Sequence, residues 1–334
     1  MQHDHVGQIY ELLDEAAQVI AEGLEISYIE GLAEAGEMYF LETADQLPLQ
    51  EKHTGELKSL LAKADFRKWE HEWIRKAFQL AILKGLKDKS HPNRQMTPDT
   101  IGLFISYLVN KFTGGRKGLT LLDPACGTGN LLLTAANQLS DKAAKSFGIE
   151  IDDVLLKIAY AQANLQEKEM ELFCQDSLQP LFIEPADAVI CDLPVGYYPN
   201  DEGAEAFELK ADEGHSFAHH LFIEQSVKHT KPGGYLFFMI PNHLFDSAQS
   251  DKLKRFFAEK VYINALLQLP ATMFKDEAQA KSILILQKKG EDTKPPKQAL
   301  LANLPSFANQ QAMREMMAKL DQWIQKENND EKAV

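Results

Sequence analysis

Apolar residues recur at helical spacing over residues 5–22, where Val6, Ile9, Leu12, Leu13, Ala16, Val19 and Ile20 fall on one face. The same period predicts helices from Gly23 to Leu41 and from Leu57 to Leu86. Trp69, Trp73 and Phe78 in the last of these are spaced by four and five, which favours burial in a bundle over a nucleic-acid platform. Residues 87–98 are polar and hold two prolines, the pattern of a linker. Thr97-Pro98 then reads as a helix start, with Ile101, Phe104, Ile105, Leu108 and Val109 following at helical spacing.

From residue 119 the pattern changes to short apolar runs. Leu119–Leu122, Lys145–Ile151, Glu171–Cys174, Ala186–Cys191, Tyr235–Ile240, Val261–Leu269 and Lys281–Gln287 read as strands. Helical stretches at Leu131–Leu139 and Val154–Leu165 separate the first three, as in successive β-α units of a parallel sheet. The last two runs, joined by a polar segment, suggest an antiparallel hairpin. Past Gly290 the chain turns polar; Met313, Met316, Met317, Leu320, Trp323 and Ile324 outline a helix over 310–326, expected to dock on the preceding domain, and 327–334 is expected to fray. The limits expected are 1–92 for a helical N-terminal domain, 93–290 for an α/β domain and 291–334 for a helix and tail.

The first strand runs into Asp123-Pro124-Ala125-Cys126-Gly127-Thr128-Gly129-Asn130, a strand–turn–helix geometry that brings backbone N–H groups to a ligand. The turn lacks the third glycine of G-x-G-x-x-G, since Leu132 stands in its place, and it lacks a P-loop lysine. Acids then follow at strand ends. Asp123, Glu150 and Asp176 are about 26 residues apart, one β-α unit each, and Asp192 ends the fourth strand. An acid at the position of Glu150 can accept both hydroxyls of a ribose, with Asp152 as the alternative or as a helix cap.

DPACGTGN resembles motif I of the class I S-adenosylmethionine-dependent methyltransferases, in the form seen in adenine-N6 DNA methylases. MTPDTIGLFISYLV is similar to the Thr-Pro element that precedes it in the modification subunits of type I restriction systems. Over roughly residues 95–290, this resemblance implies a seven-stranded, mostly parallel Rossmann-like α/β sheet with helices on both faces, and S-adenosyl-L-methionine as cofactor. The cofactor residues it implies are Thr97, Pro98, Asp123 to Asn130, Glu150 with Ile151, Asp176 with Ser177 and Leu178, and Asp192. Asp192-Leu193-Pro194-Val195-Gly196-Tyr197-Tyr198 stands where the family carries Asn/Asp-Pro-Pro-Phe/Tyr. There an acceptor oxygen and a carbonyl hold an exocyclic amine while a ring stacks the flipped base. Asp192 and Pro194 keep the pattern; Leu193 and Val195 depart from it, which leaves Tyr197 or Tyr198 to supply the ring.

Pro199–Gly214 is an acidic loop with the character of a lid, Cys174 reads as a small buried filler, and Asn242 reads as a turn residue or a substrate contact. His219 and His220 point about 100° apart on a helix and have no Cys or Asp at ligand spacing. They are expected to be surface or capping residues, and no metal site is expected.

Net charge is −14, and it is uneven: residues 1–60 carry 13 acids against 2 bases. Binding of duplex DNA leans on phosphate neutralisation by Lys and Arg, so autonomous tight DNA binding is disfavoured. Lys84, Lys87, Lys89 and Arg94 make only a modest basic cluster. Three scattered cysteines fit a reducing cytoplasm, and no apolar run is long enough to span a membrane. The activity expected is methylation of the adenine N6 amino group in DNA, with recognition supplied by a specificity subunit or a homodimer. Methylation of RNA, a protein amide or a small amine, or a non-catalytic cofactor-binding or assembly role, are the alternatives.

Overall fold

The structure is a computed structural model that describes residues 2–87, 96–139, 143–247 and 249–332. Lys89, Arg94 and the expected domain limit at 92 lie outside the described residues. The chain divides into two compact units, one of Met1–Gly102, Cys126–Ser140 and Gly148–Gln175, the other of Leu103–Ala125, Asp141–Phe147 and Asp176–Val334.

The first unit begins with α1 (Gln2–Leu24), α2 (Tyr28–Leu41), α3 (Glu51–Leu61) and α4 (His71–Gly85). In α1, Ile9, Leu13, Ala16, Ala17 and Ile20 are fully buried, as the apolar period dictates. Two predicted boundaries shift. The helix expected from Gly23 starts instead at Tyr28, because Ser27 and Glu30 close a reciprocal capping box and Glu25 takes a left-handed conformation (φ 57°). The helix expected over 57–86 is broken at 66–68, where Phe66 turns inward between Tyr39 and Trp69. The bundle core continues into α7 (Asp153–Leu165), whose Ile158 and Leu165 join the same apolar cluster. The same cluster takes the aromatics expected in the bundle: Phe78 is fully buried within it, and Trp69 and Trp73, partly buried, pack against it.

In the second unit, β1 (Leu119–Asp123) and β4 (Ala186–Asp192) pair in parallel, with Leu121 opposite Ala188. β4 pairs in parallel with β5 (Thr230–Pro241). The expected hairpin is present: β6 (Val261–Gln268) and β7 (Lys281–Lys288) are antiparallel, and β7 also pairs antiparallel with β5. With β2 (Ala143–Glu150), β3 (Met170–Cys174) and β8 (Leu300–Asn303), the sheet has eight strands in the order β3-β2-β1-β4-β5-β7-β6-β8.

The α/β expectation therefore holds, with one strand more than the seven expected. β8 lies in the stretch read as polar tail and pairs in parallel with β6, Ala265 opposite Leu300 and Gln268 opposite Asn303. Four residues are too few for alternation to mark them in the sequence. The strand order reverses between β1 and β4, the switch point where the carboxyl ends of open α/β sheets take ligands.

The tail helix α11 (Gln310–Lys332) extends beyond residue 326, so the fraying expected from 327 is not seen through Lys332. It docks on α5 (Asp99–Phe112): Asp321 accepts a hydrogen bond from Tyr107 (2.7 Å) and pairs with Lys111 (2.8 Å), and Trp323 meets Phe112. No helix among the described residues is long and apolar enough to cross a membrane.

Candidate functional site

The turn after β1 is shaped by its own backbone. In the second unit, Asp123 is buried at the strand end and accepts from the Ala125 N–H (3.1 Å). In the first unit, Cys126 N–H donates to the Ile149 carbonyl of β2 (2.9 Å), and Gly127 and Gly129 take positive φ (55° and 78°). An ideal Cβ placed on Gly127 would meet no atom within 4 Å, so the backbone there faces open space, as close approach by a ligand requires. Gly129 precedes α6 (Asn130–Gln138), and Thr128 is held through its carbonyl by Gln162 Nε2 of α7 (2.8 Å). The motif gave no sign of Gln162, which reaches the turn from a helix 34 residues on.

Glu150 ends β2. Its Oε2 accepts from the Gly127 N–H, and its Oε1 accepts from the N–H groups of Ile151 and Asp152, all at 2.9 Å. Asp152 instead caps α7, accepting from Val154 and Leu155 (both 3.1 Å). Of the two acids weighed for one role, Glu150 faces the glycine turn and Asp152 serves the helix. Ile151 is exposed, and Thr97 accepts through its carbonyl from Asn130 Nδ2 (3.0 Å). α5 starts at Asp99, one residue beyond Pro98, and the Pro98 carbonyl accepts from Ile101 and Gly102.

In the second unit, Asp176 Oδ1 accepts from the Leu178 N–H (2.9 Å), and its Oδ2 accepts from the Tyr198 hydroxyl at 2.5 Å. Burial and this acid together raise the Tyr198 pKa, so the hydroxyl keeps its proton. Ser177 donates to the Pro124 carbonyl, Leu178 is buried, and Gln225 Nε2 ties down the carbonyls of Ser177 (2.7 Å) and Gln179 (3.0 Å).

Asp192, at the end of β4, pairs with Lys281 at 2.5 Å. Leu193, at the first proline position of the family pattern, is buried, and its N–H donates to the Met239 carbonyl (3.2 Å). Pro194 is half-buried and Val195 exposed. The two tyrosines diverge. Tyr198 turns inward to Asp176, whereas Tyr197 is 63% exposed and stacks on Phe217 with centroids 5.0 Å apart and planes 15° apart.

Three expectations are corrected here. The 199–214 loop is anchored: Ala204, Phe207 and Leu209 are buried, and the N–H groups of Glu208 and Leu209 donate to the fully buried Glu224 carboxylate of α9 (Ala218–Lys228). His219 and His220 lie inside, at 3% and 0% exposure, because α9 is buried on more than one face. Cys174 is exposed, because β3 is the edge strand of the sheet. Asn242 has the turn role that was one of its two expected ones, its N–H on the Ala280 carbonyl and its Oδ1 accepting from Ser282.

An open α/β sheet with a glycine turn and acids at the ends of β1, β2 and β4 is the architecture of a class I methyltransferase. The family model for N-6 DNA methylases matches residues 87–331, and that for the YtxK N-terminal helical domain matches residues 7–86. The chain belongs to the N-6 DNA methylase family, whose members are S-adenosylmethionine-dependent methyltransferases. It is 76% identical over 328 residues to an uncharacterized protein, YtxK, of Bacillus subtilis strain 168, covering 98% of this chain and all of that one.

A crystal structure from Listeria monocytogenes, of a protein assigned to the class I S-adenosylmethionine-dependent methyltransferases, is 42% identical. It matches with a TM-score of 0.89 over 96% of this chain and 99% of its own. A methyltransferase subunit of a type I restriction-modification system from Streptococcus thermophilus shares the fold at 15% identity (TM-score 0.65, covering 88% of this chain and 70% of that one).

Proposed function

We propose that the chain binds S-adenosylmethionine and methylates an exocyclic amine, the N6 amino group of adenine in DNA. The observation that carries the reading is Glu150: a carboxylate fixed by three backbone N–H groups beside a glycine turn with open space at Gly127. Such a donor and acceptor set fits a ribose diol, which needs a preset acceptor and close backbone approach. The cofactor, when bound, supplies an electrophilic methyl group on sulfur.

In this reading Glu150 accepts the ribose hydroxyls, Asp176 accepts from the cofactor's adenine amino group, and Ile151, Ser177 and Leu178 line the nucleoside. Asp123, the turn from Pro124 to Asn130, and Thr97 with Pro98 hold the methionine end. Asp192 accepts an amine hydrogen of the substrate, and Pro194 shapes the turn that presents a carbonyl to the other. Tyr197 is assigned the stacking ring, because it is largely exposed whereas Tyr198 is spent on Asp176. An acidic chain of charge −14 gains DNA affinity through a partner, a specificity subunit or a second copy.

Calorimetry with S-adenosylmethionine, then transfer of labelled methyl to DNA, RNA and protein, tests the proposal. Transfer to DNA adenine is expected, with Asp192→Ala abolishing it. Absence of cofactor binding, or undiminished transfer by Asp192→Ala, sinks the reading. One observation favours a second reading, a cofactor-binding protein without transferase activity: Lys281 already occupies an oxygen of Asp192. Its mark is cofactor binding with no transfer to any of the three substrates.

The Tyr198 hydroxyl competes for the Asp176 oxygen that the cofactor's amino group would use. Tyr198→Phe is therefore expected to tighten cofactor binding about three- to tenfold, the worth of one hydrogen bond. A titration showing weaker binding in this variant counts against the competition.

A further inference from the structure

One buried cation has no place in the site as described. Arg75 of α4 is 0% exposed, although burying a guanidinium costs several kcal/mol unless its partners are well placed. Each of its three nitrogens has a partner. Nε and Nη2 meet the two oxygens of Glu72 (2.9 and 2.6 Å), Nη2 pairs with Asp99 at the start of α5 (2.6 Å), and Nη1 donates to Asn130 Oδ1 (3.0 Å). Asn130 is itself buried, and its Nδ2 donates to the Thr97 carbonyl. One side chain on the N-terminal helices thus fixes two segments that lie far apart in sequence, the Thr97–Asp99 entry to α5 and the first residue of α6, directly after the glycine turn. Behind it, Asn137 Nδ2 reaches Glu72 (3.4 Å) and Gln166 (2.9 Å), which braces Glu72 from α6 and the end of α7.

We infer that Arg75 is a positioning residue for cofactor binding: through Asn130 it locks the Gly127–Asn130 turn to the N-terminal helices, so those helices are part of the cofactor-binding apparatus. The guanidinium suits this because its planar fork serves several acceptors in fixed directions, which an ammonium cannot. A purely structural role would be filled as well or better by an apolar side chain in the same bundle. The inference rests on the cofactor reading above, but its first test does not.

Hydrogen exchange of the free full-length chain is compared for wild type, Arg75→Met, Arg75→Lys and Asn130→Ala. The last leaves the Arg75 pairs with Glu72 and Asp99 in place and so guards against loss of folding. In the Met and Ala variants, exchange over residues 126–131 is expected to rise at least about tenfold, while that of α1 stays within about twofold. Arg75→Lys keeps the charge but is expected to restore the turn only in part.

S-adenosylmethionine affinity, measured by calorimetry, is expected to fall at least about tenfold in step with the exchange. A turn whose exchange is unchanged in Asn130→Ala, or that loosens only together with α1 in every variant, overturns the inference. Wild-type protein that fails to bind cofactor while the turn-specific effect persists overturns the cofactor reading instead.

Discussion

Glu150→Ala is expected to weaken S-adenosylmethionine binding by about two to three orders of magnitude, from the loss of two hydrogen bonds to a charged acceptor, each worth roughly 1.5–3 kcal/mol. The lower end of that range applies because the acceptor sits at the edge of solvent. The same carboxylate also holds the Gly127 N–H and the two amides after β2, so its removal loosens the turn as well as deleting the ribose contacts. Glu150→Gln separates the two losses. An amide keeps one acceptor oxygen but presents N–H where the glycine N–H now donates, and an intermediate affinity follows. Calorimetric affinities for Glu150→Ala within about threefold of wild type would remove Glu150 from the site.

Acidification from pH 7 to 5 is expected to cost the fold about 4 kcal/mol through one pair of imidazoles. Burial first, then the neighbouring His220 and His243, push the His219 pKa down to about 3, and burial pushes that of His220 down to about 4. Among the described residues, His219 Nδ1 and both ring nitrogens of His220 have no hydrogen-bond partner, and the rings pack on each other and on Phe217. Both stay neutral in the folded chain at pH 5, whereas in the unfolded chain they protonate near 6.5.

The unfolded state therefore binds more protons between pH 6.5 and about 3. Stability is fully present above that window and falls as pH drops through it, by about 2 kcal/mol per histidine at pH 5. Urea melts of wild type and His219→Asn/His220→Phe at the two pH values check this. A double variant that loses as much stability on acidification as wild type would show that the pair is not responsible.

The parts of the site legible in the sequence are those made by contiguous residues. The glycine turn, the acids closing β1, β2 and β4, and the cap at Asp152 follow from local spacing and strand periodicity, and the structure has each where the pattern puts it. The partners of Asp176 and Asp192 were not legible, because they arrive from far away: Tyr198 comes to Asp176 across 22 residues and Lys281 to Asp192 across 89. Arg75 was invisible for the same reason, since it meets Asn130 across 55 residues and one arginine on an amphipathic helix looks like any solvated charge.

The histidines of α9 misled in a different way. Helix faces are inferred from an apolar stripe, but this helix buries Glu224 and Gln225 along with Leu221 and Ile223, so polarity did not mark its exposed side. Cys174 erred in the opposite sense: an apolar context suggested burial, yet an edge position left its side chain in solvent.

β8 changes what the sheet presents to the outside. Without it, the border beyond β7 would be β6, an eight-residue strand whose open amides and carbonyls form a template for other chains. The four residues Leu300–Asn303 cover half of that border and replace it with a short strand, followed by a chain that leaves towards α11. The covered half of β6, Ala265 to Gln268, is thereby withdrawn from pairing with any other chain, and the strand left on that side offers only four residues of open backbone.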